Sequence, residues 1–317
     1  VASYSRTIVI ALGGNALAPP GERASIHDQF RHTRESLGPI VELAAEGWRI
    51  AVVHGNGPQV GDELLRNEGA RDRVAPLPLG VLVAATAGWI GYMIQQSLQN
   101  ALRRAGVERD VITLVTQTVV DTAPADALRP TKPIGHELSD DLLLRLRQQG
   151  IAVGKDAGGR WRRLAPSPVP LDVVEADAVK QLVDEGKIVI AAGGGGPPVY
   201  FDRTLYWEGI DAVVDKDRVA AILAHRLACD TLLILTDVDA VYRDWGTPQQ
   251  KPIRRLSLSE AEALLETQGL GVGSMRPKVE AAVQFVRAGG RRAVITHLAR
   301  GRDGLAGKAG TRIMGDE

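Results

Sequence analysis

A single cysteine, Cys229, stands in 317 residues. It excludes an internal disulfide, and the six histidines fall in no zinc-ligand spacing with it. Its apolar neighbours Leu227, Ala228 and Leu232 predict a small buried hydrophobe. The composition fits a reducing, cytoplasmic setting. Excess charge of either sign is also missing: Lys plus Arg is 38 and Asp plus Glu is 38. The chain therefore lacks the basic footprint of a nucleic-acid binder. No charged start followed by an apolar run opens the sequence, so no signal peptide is expected. Long apolar runs are scarce too. Val74 to Ile94 is uncharged over close to the roughly 20 residues a bilayer requires. Pro76, Pro78, Gly80, Gly88 and Gly91 interrupt it, and Gln95, Gln96, Ser97 and Gln99 follow directly. It predicts a helix from about Gly80 to Arg104 buried in a core or subunit contact, with no membrane partner.

Hydrophobic residues at 44% and charged residues at 24% are those of an ordered globular chain. The length suits one large α/β unit or two lobes, with a core that needs no staples. Strands are expected at Thr7–Leu12, Arg49–His54, Val111–Val115, Ile188–Ala192, Thr231–Thr236 and Ala293–Thr296. They are short and continuously apolar, as parallel strands buried on both faces should be. Helices alternate with them, which predicts a mostly parallel α/β sheet. Ser257 and Glu260 form a capping box. Pro277 lies in the first turn of a helix that Gly289 and Gly290 end. Between about Thr116 and Ser167 the alternation breaks, with one short polar helix near Ser139–Gln149, and this reads as a lid-like excursion.

Glycine is abundant, 35 of 317 or about 11% against an average near 7%. Three clusters lie just past expected strands: Gly13-Gly14-Asn15, Gly55-Asn56-Gly57 and Gly193–Gly196. Beyond the carboxyl ends of strands in an open α/β sheet, such loops let backbone N–H groups approach an anion. Familiar phosphate signatures are absent. Gly307-Lys308-Ala309 lacks the hydroxyl and spacing of a P-loop, and no protein-kinase catalytic loop occurs. Gly55-Asn56-Gly57 has no acidic residue about 20 positions on, where a dinucleotide fold requires one. Lysines supply the remaining signal. Lys132 sits in a stiff loop, and Lys216 and Lys278 sit at expected helix starts, where a cation opposes the helix dipole unless an anion lies nearby.

At these residues the sequence resembles the carbamate kinases of the amino acid kinase family, over nearly its whole length. The resemblance is carried by Ala11–Leu17, His54–Gly61, Gly91–Gln96, Pro130–Gly135, Trp161–Arg163, Asp215–Asp217, Leu235–Tyr242 and Gly273–Glu280. Other branches carry a lysine where Ala11 stands. In carbamate kinases a lysine of the protruding subdomain supplies that charge, and Lys132 occupies the matching motif. Departures include His136-Glu137-Leu138 where the family tends to have proline and an aromatic, Gly193 after Ala192, and Arg276.

The resemblance implies a three-layer α/β/α sandwich with a mostly parallel central sheet, plus a small protruding lid. It implies an N-terminal lobe over 1–205, bearing the protruding subdomain at about 116–167, and a nucleotide-binding lobe over 206–317. The implied reaction is reversible phosphoryl transfer between ATP and carbamate, giving ADP and carbamoyl phosphate, with Mg2+ arriving on the nucleotide. Lys132 and Lys216 would flank the moving phosphoryl group, Lys278 would hold the terminal nucleotide phosphates, and Asp217 would orient the lysines. Gly13, Gly14, Asn15, Gly55 and Asn56 would bind carbamate and phosphoryl oxygens through backbone N–H groups. Asp237, Tyr242 and Met275 would frame the adenosine, and no resident metal is expected. Carbamate is already an anion, so no general base is required, and the histidines form no recognisable dyad. The helix around Gly88–Leu102 would form a homodimer contact. A family kinase for another carboxylate or phosphonate, and a silent nucleotide sensor, are the alternatives.

Overall fold

The computed structural model describes residues 6–14, 17–18, 24–267, 270 and 275–316. In the strand Arg6–Leu12, Ile8, Ile10 and Leu12 enter one apolar cluster, while Val9 and Ala11 enter another. Ile50 and Val52 alternate with Ala51 and Val53 in the same way, as do Leu233 and Leu235 with Leu232 and Ile234. A strand with both faces buried has no polar side to show, which is why these segments read as unbroken apolar runs.

Eight strands form the central sheet in the order Arg255–Ser257, Thr311–Met314, Arg292–His297, Thr231–Thr236, Arg6–Leu12, Trp48–His54, Ile188–Ile190, Val111–Thr113. Every neighbouring pair is parallel except Arg292–His297 with Thr311–Met314. Helices Ala176–Asp184, Lys216–Arg226 and Met275–Arg287 fill one face through Val179, Val219 and Val279. Helices Gly38–Ala45 and Leu79–Arg104 fill the other through Ile40, Ile90, Met93 and Leu98. The result is the expected three-layer α/β/α sandwich.

All six expected strands lie in this sheet. Two end earlier than expected, at Thr113 and Ile190. Ala192 adopts φ 48°, and its amide donates to Thr116 Oγ1 rather than to a strand neighbour. The expected capping box at Ser257 and Glu260 is formed. The uncharged stretch continues as the helix Leu79–Arg104, seated on the core. Among the described residues no helix is long and apolar enough to cross a membrane.

Besides a two-stranded hairpin of Val241–Arg243 with Lys251–Ile253, two smaller sheets stand apart. Lys132–Ile134, Trp161–Ala165 and Val153–Lys155 form one, with the helix Asp140–Gln148 between its strands in sequence. Ile134 and Ala165 of this unit pack with Val60, Leu64, Leu82 and Val213. Thr118–Val120, Pro170–Val173, Pro198–Asp202 and Tyr206–Gly209 form the other.

Candidate active site

The carboxyl ends of the two central strands meet. The Gly13 amide donates to Leu235 O at 3.0 Å and the Gly55 amide to Leu12 O at 3.0 Å. The parallel ladder thus runs one residue past each strand, and it consumes two of the amides expected to face an anion. What these two glycines offer a ligand is space rather than a donor. A Cβ on Gly55 would lie 2.8 Å from Gly14 N and 3.3 Å from Lys216 Cδ. The amides of Gly14 and Asn56 have no acceptor among the described residues. Asn15 lies outside the described residues.

Asn56 opens the helix Gly57–Ala70, and its carbonyl accepts from Val60 N at 2.8 Å. Its side chain donates to Thr86 Oγ1 at 2.9 Å. The third glycine cluster packs behind it. A Cβ on Gly194, whose φ is +67°, would fall 2.1 Å from Asn56 Nδ2. Gly193–Gly195 are buried, so this cluster buttresses the second loop.

His54 ends the strand before Gly55 and is fully buried. Its Nδ1 lies 3.0 Å from Gly55 O. Burial lowers its pKa to about 4, outweighing the Gly55 and Ala87 carbonyls, and Lys216 pushes the same way. His54 is therefore neutral at pH 7. The sequence offered no signal for this beyond its place at a strand end.

The lysines come together through carboxylates. Asp215 caps the helix Lys216–Arg226, accepting from the amides of Asp217 at 3.0 Å and Arg218 at 3.3 Å. The cap fixes Lys216 and Asp217 on the first turn. Asp217 is 3% exposed. Its Oδ1 accepts from Lys216 Nζ at 2.5 Å and its Oδ2 from Lys278 Nζ at 3.3 Å. Lys278 comes from the first turns of Met275–Arg287, a helix that packs against Lys216–Arg226 and is tied to it by Arg218 on Glu280 at 2.7 Å. Lys132, from the protruding unit, reaches Asp215 Oδ2 at 3.6 Å. Asp215 is the residue that sequence reasoning left without a role. The signal was there, an aspartate immediately before a helix start.

Burial lowers the Lys216 pKa, with Asp217 pulling it back up and Lys278 adding to the fall. For Asp217, burial favours the neutral acid, but Lys216 and Lys278 outweigh it and hold the carboxyl below its usual range. The two groups thus support each other: Asp217 draws the Lys216 pKa up, and Lys216 draws that of Asp217 down.

Asp237 follows the strand Thr231–Thr236 and accepts from Thr236 Oγ1 at 3.0 Å. The Tyr242 hydroxyl donates to Asp239 Oδ1 at 2.6 Å, and its ring meets Trp245 edge-on at 5.1 Å between centroids. Met275 begins the helix that carries Lys278 and packs partly against the core. Residues 271–274 before it lie outside the described residues. Among the described residues, no group of three His, Cys, Asp or Glu could hold a metal ion.

Residues 6–297 match the Amino acid kinase family. The chain belongs to this family. It is 41% identical over 312 residues to the carbamate kinase of Pyrococcus furiosus, covering 98% of this chain and 99% of that one. It is also 41% identical over 313 residues to the carbamate kinase-like protein YqeA of Escherichia coli, covering 98% and 99%. Among solved structures, the carbamate kinase from Giardia lamblia bound to AMP-PNP superposes with a TM-score of 0.90 at 37% identity, covering 98% and 99%. A crystal structure from Aeropyrum pernix K1 gives 0.91 at 37%, covering 98% and 100%. In this amino acid kinase the lysine–carboxylate cluster sits where the glycine loops of the central strands converge.

Proposed function

We propose that the chain is a carbamate kinase, transferring phosphoryl reversibly between ATP and carbamate to give ADP and carbamoyl phosphate. The observation that carries this reading is the clasp of Lys216 and Lys278 by the buried Asp217, beside loops that present the Gly14 and Asn56 amides. Full-length likeness to several carbamate kinases supports the choice of acceptor.

The chemistry asked of these residues is alignment and charge stabilisation. Phosphoryl transfer passes through a loose, in-line transition state with charge spread over the equatorial oxygens. Bringing two anions together is unfavourable, and lysines offset that repulsion, each by about 4 kcal/mol at about 4 Å with an effective dielectric near 20. Lys132 and Lys216 flank the moving group, and Lys278 holds the terminal nucleotide phosphates. Asp217 pulls the Lys216 pKa upward and aims both Lys216 and Lys278. Carbamate needs no deprotonation. His54, neutral and engaged with Gly55 O, takes no part as a base. Magnesium travels with the nucleotide.

In this reading residues 1–205 bind carbamate and the phosphoryl group, 116–167 form a lid, and 206–317 bind the nucleotide with Asp237, Tyr242 and Met275 around the adenosine. A cytoplasmic setting fits the use of ATP and the buried Cys229. The Gly88–Leu102 region carries the homodimer contact. Its outward stripe holds Tyr92, Gln96 and Gln99, and a dimeric mass in light scattering checks it.

The test is ATP formation from ADP, magnesium and carbamoyl phosphate, with acetyl phosphate run in parallel. Turnover on carbamoyl phosphate well above acetyl phosphate is expected. Preference for acetyl phosphate would transfer the chain to another carboxylate acceptor, and no ATP from either would refute the kinase reading.

A further inference from the structure

We infer that His136 is a positioning residue, latching the protruding unit onto the helix Gly57–Ala70 through Asp62 and so holding Lys132 at the lysine–carboxylate cluster. The inference rests on the phosphoryl-binding role proposed above for Lys132.

The turn after the strand Lys132–Ile134 is braced from within its own unit. Gly135 has φ +73°, a conformation that favours glycine. Its carbonyl accepts from Arg162 Nη1 at 2.5 Å, and Arg162 Nε donates to Asp156 Oδ2 at 3.0 Å. The braced turn then lies flat on the neighbouring helix, because Gly61 has no side chain. A Cβ there would sit 2.7 Å from Gly135 Cα and 3.2 Å from His136 Cδ2. Beside this contact His136 Nε2 lies 2.8 Å from Asp62 Oδ1, the one hydrogen bond between side chains of the turn and the helix among the described residues.

Both ends of this junction lead to the reacting groups. Lys132 and Ile134 share one face of their strand, since side chains alternate with period two. Ile134 packs against Val60 and Leu64 of the helix, and Lys132 points on to Asp215. The helix itself is capped by Asn56, whose amide has no acceptor among the described residues. Shifting the turn on the helix therefore shifts Lys132 relative to that amide. The pair is half-exposed, with side-chain exposures of 43% and 39%, so it is weak enough to release. A latch of that kind favours the docked lid by roughly two- to five-fold. Substrates can still enter and products leave.

The experiment compares His136→Ala, Asp62→Ala, the double variant and His136→Gln with the parent. Amide hydrogen exchange over residues 131–138 reads docking without any turnover. Steady-state ATP formation gives KM separately for carbamoyl phosphate and for ADP. Each single alanine variant is expected to speed exchange and raise KM for carbamoyl phosphate by about two- to five-fold, with KM for ADP unchanged. The double variant should be no worse than either single one, and the glutamine, which can still donate to Asp62, should restore most of the loss. Parental exchange in both single variants, or a double variant whose effect is the product of the two, would overturn the latch. A parent that forms no ATP from carbamoyl phosphate would sink the carbamate kinase reading, and the exchange data would still decide the latch.

Discussion

Asp217→Asn removes the carboxylate that two buried ammonium groups share, while keeping the shape of the side chain. At 2.5 Å from Lys216 and 3.3 Å from Lys278, the attractions are about 7 and about 5 kcal/mol with an effective dielectric near 20. The cost of burying the carboxylate and the repulsion between the lysines offset much of this. Removing one partner of a buried ion pair costs about 3–5 kcal/mol, a large share of the roughly 5–15 kcal/mol that holds a typical protein folded. The urea midpoint should fall accordingly. Inorganic phosphate should recover part of the loss, because an anion between the lysines substitutes for the missing charge. Catalysis should not recover, since phosphate does not aim Lys216. The pH profile adds a signature. Burial already lowers the Lys216 pKa and Asp217 is the main group pulling it up. In the variant it falls further, the ammonium is lost as pH rises, and residual activity should decline on the alkaline side earlier than in the parent. A variant within about 1 kcal/mol of parental stability, with an unchanged alkaline limb, would refute the ion-pair argument.

His54 makes stability depend on acidity. Its folded pKa is about 4 against an ordinary 6.5, so between those values the unfolded chain binds a proton that the native one refuses. Stability from this group is present above about pH 6.5 and is lost as pH falls toward 4, by about 3 kcal/mol in all. His54→Asn should flatten that part of the profile in denaturant titrations at pH 4.5 and pH 7, and an unchanged slope would mean that His54 is not the titrating group. Gly55→Ala places a methyl group 2.8 Å from Gly14 N and 3.3 Å from Lys216 Cδ, so turnover should collapse even in preparations that remain folded by circular dichroism. Near-parental turnover would show that the two loops need not touch.

The central sheet was legible because burial on both faces leaves a strand with no polar residues, and six such runs stand out in the sequence. The two strands at one end of it did not stand out. In Arg255–Ser257 and Thr311–Met314 arginines interrupt the apolar pattern, which leaves only Leu256 and Ile313 pointing into the core with Thr311 buried beside them. The smaller sheets are built from strands of three to five residues, too short for periodicity to register. At the site, the lysines and glycine loops were visible as residue types in order. Their partners were not, because the Asp217–Lys278 contact joins helices far apart in sequence. Nor does a glycine in a sequence reveal where its amide points. Those of Gly13 and Gly55 turn into the sheet, while those of Gly14 and Asn56 find no acceptor there. The tie between His136 and Asp62 was likewise invisible, although His136 itself had stood out as a departure from the family pattern.

The measurement that bears most directly on the central claim is the turnover of Lys216→Ala beside the parent, in coupled ATP formation from ADP, magnesium and carbamoyl phosphate. The lysine belongs to a helix start rather than to a core strand, and its loss leaves Asp217 still paired with Lys278, so the fold should survive. Turnover should drop by about three orders of magnitude, the equivalent of roughly 4 kcal/mol of lost charge stabilisation. Activity within tenfold of the parent would contradict the claim that these lysines carry the transfer.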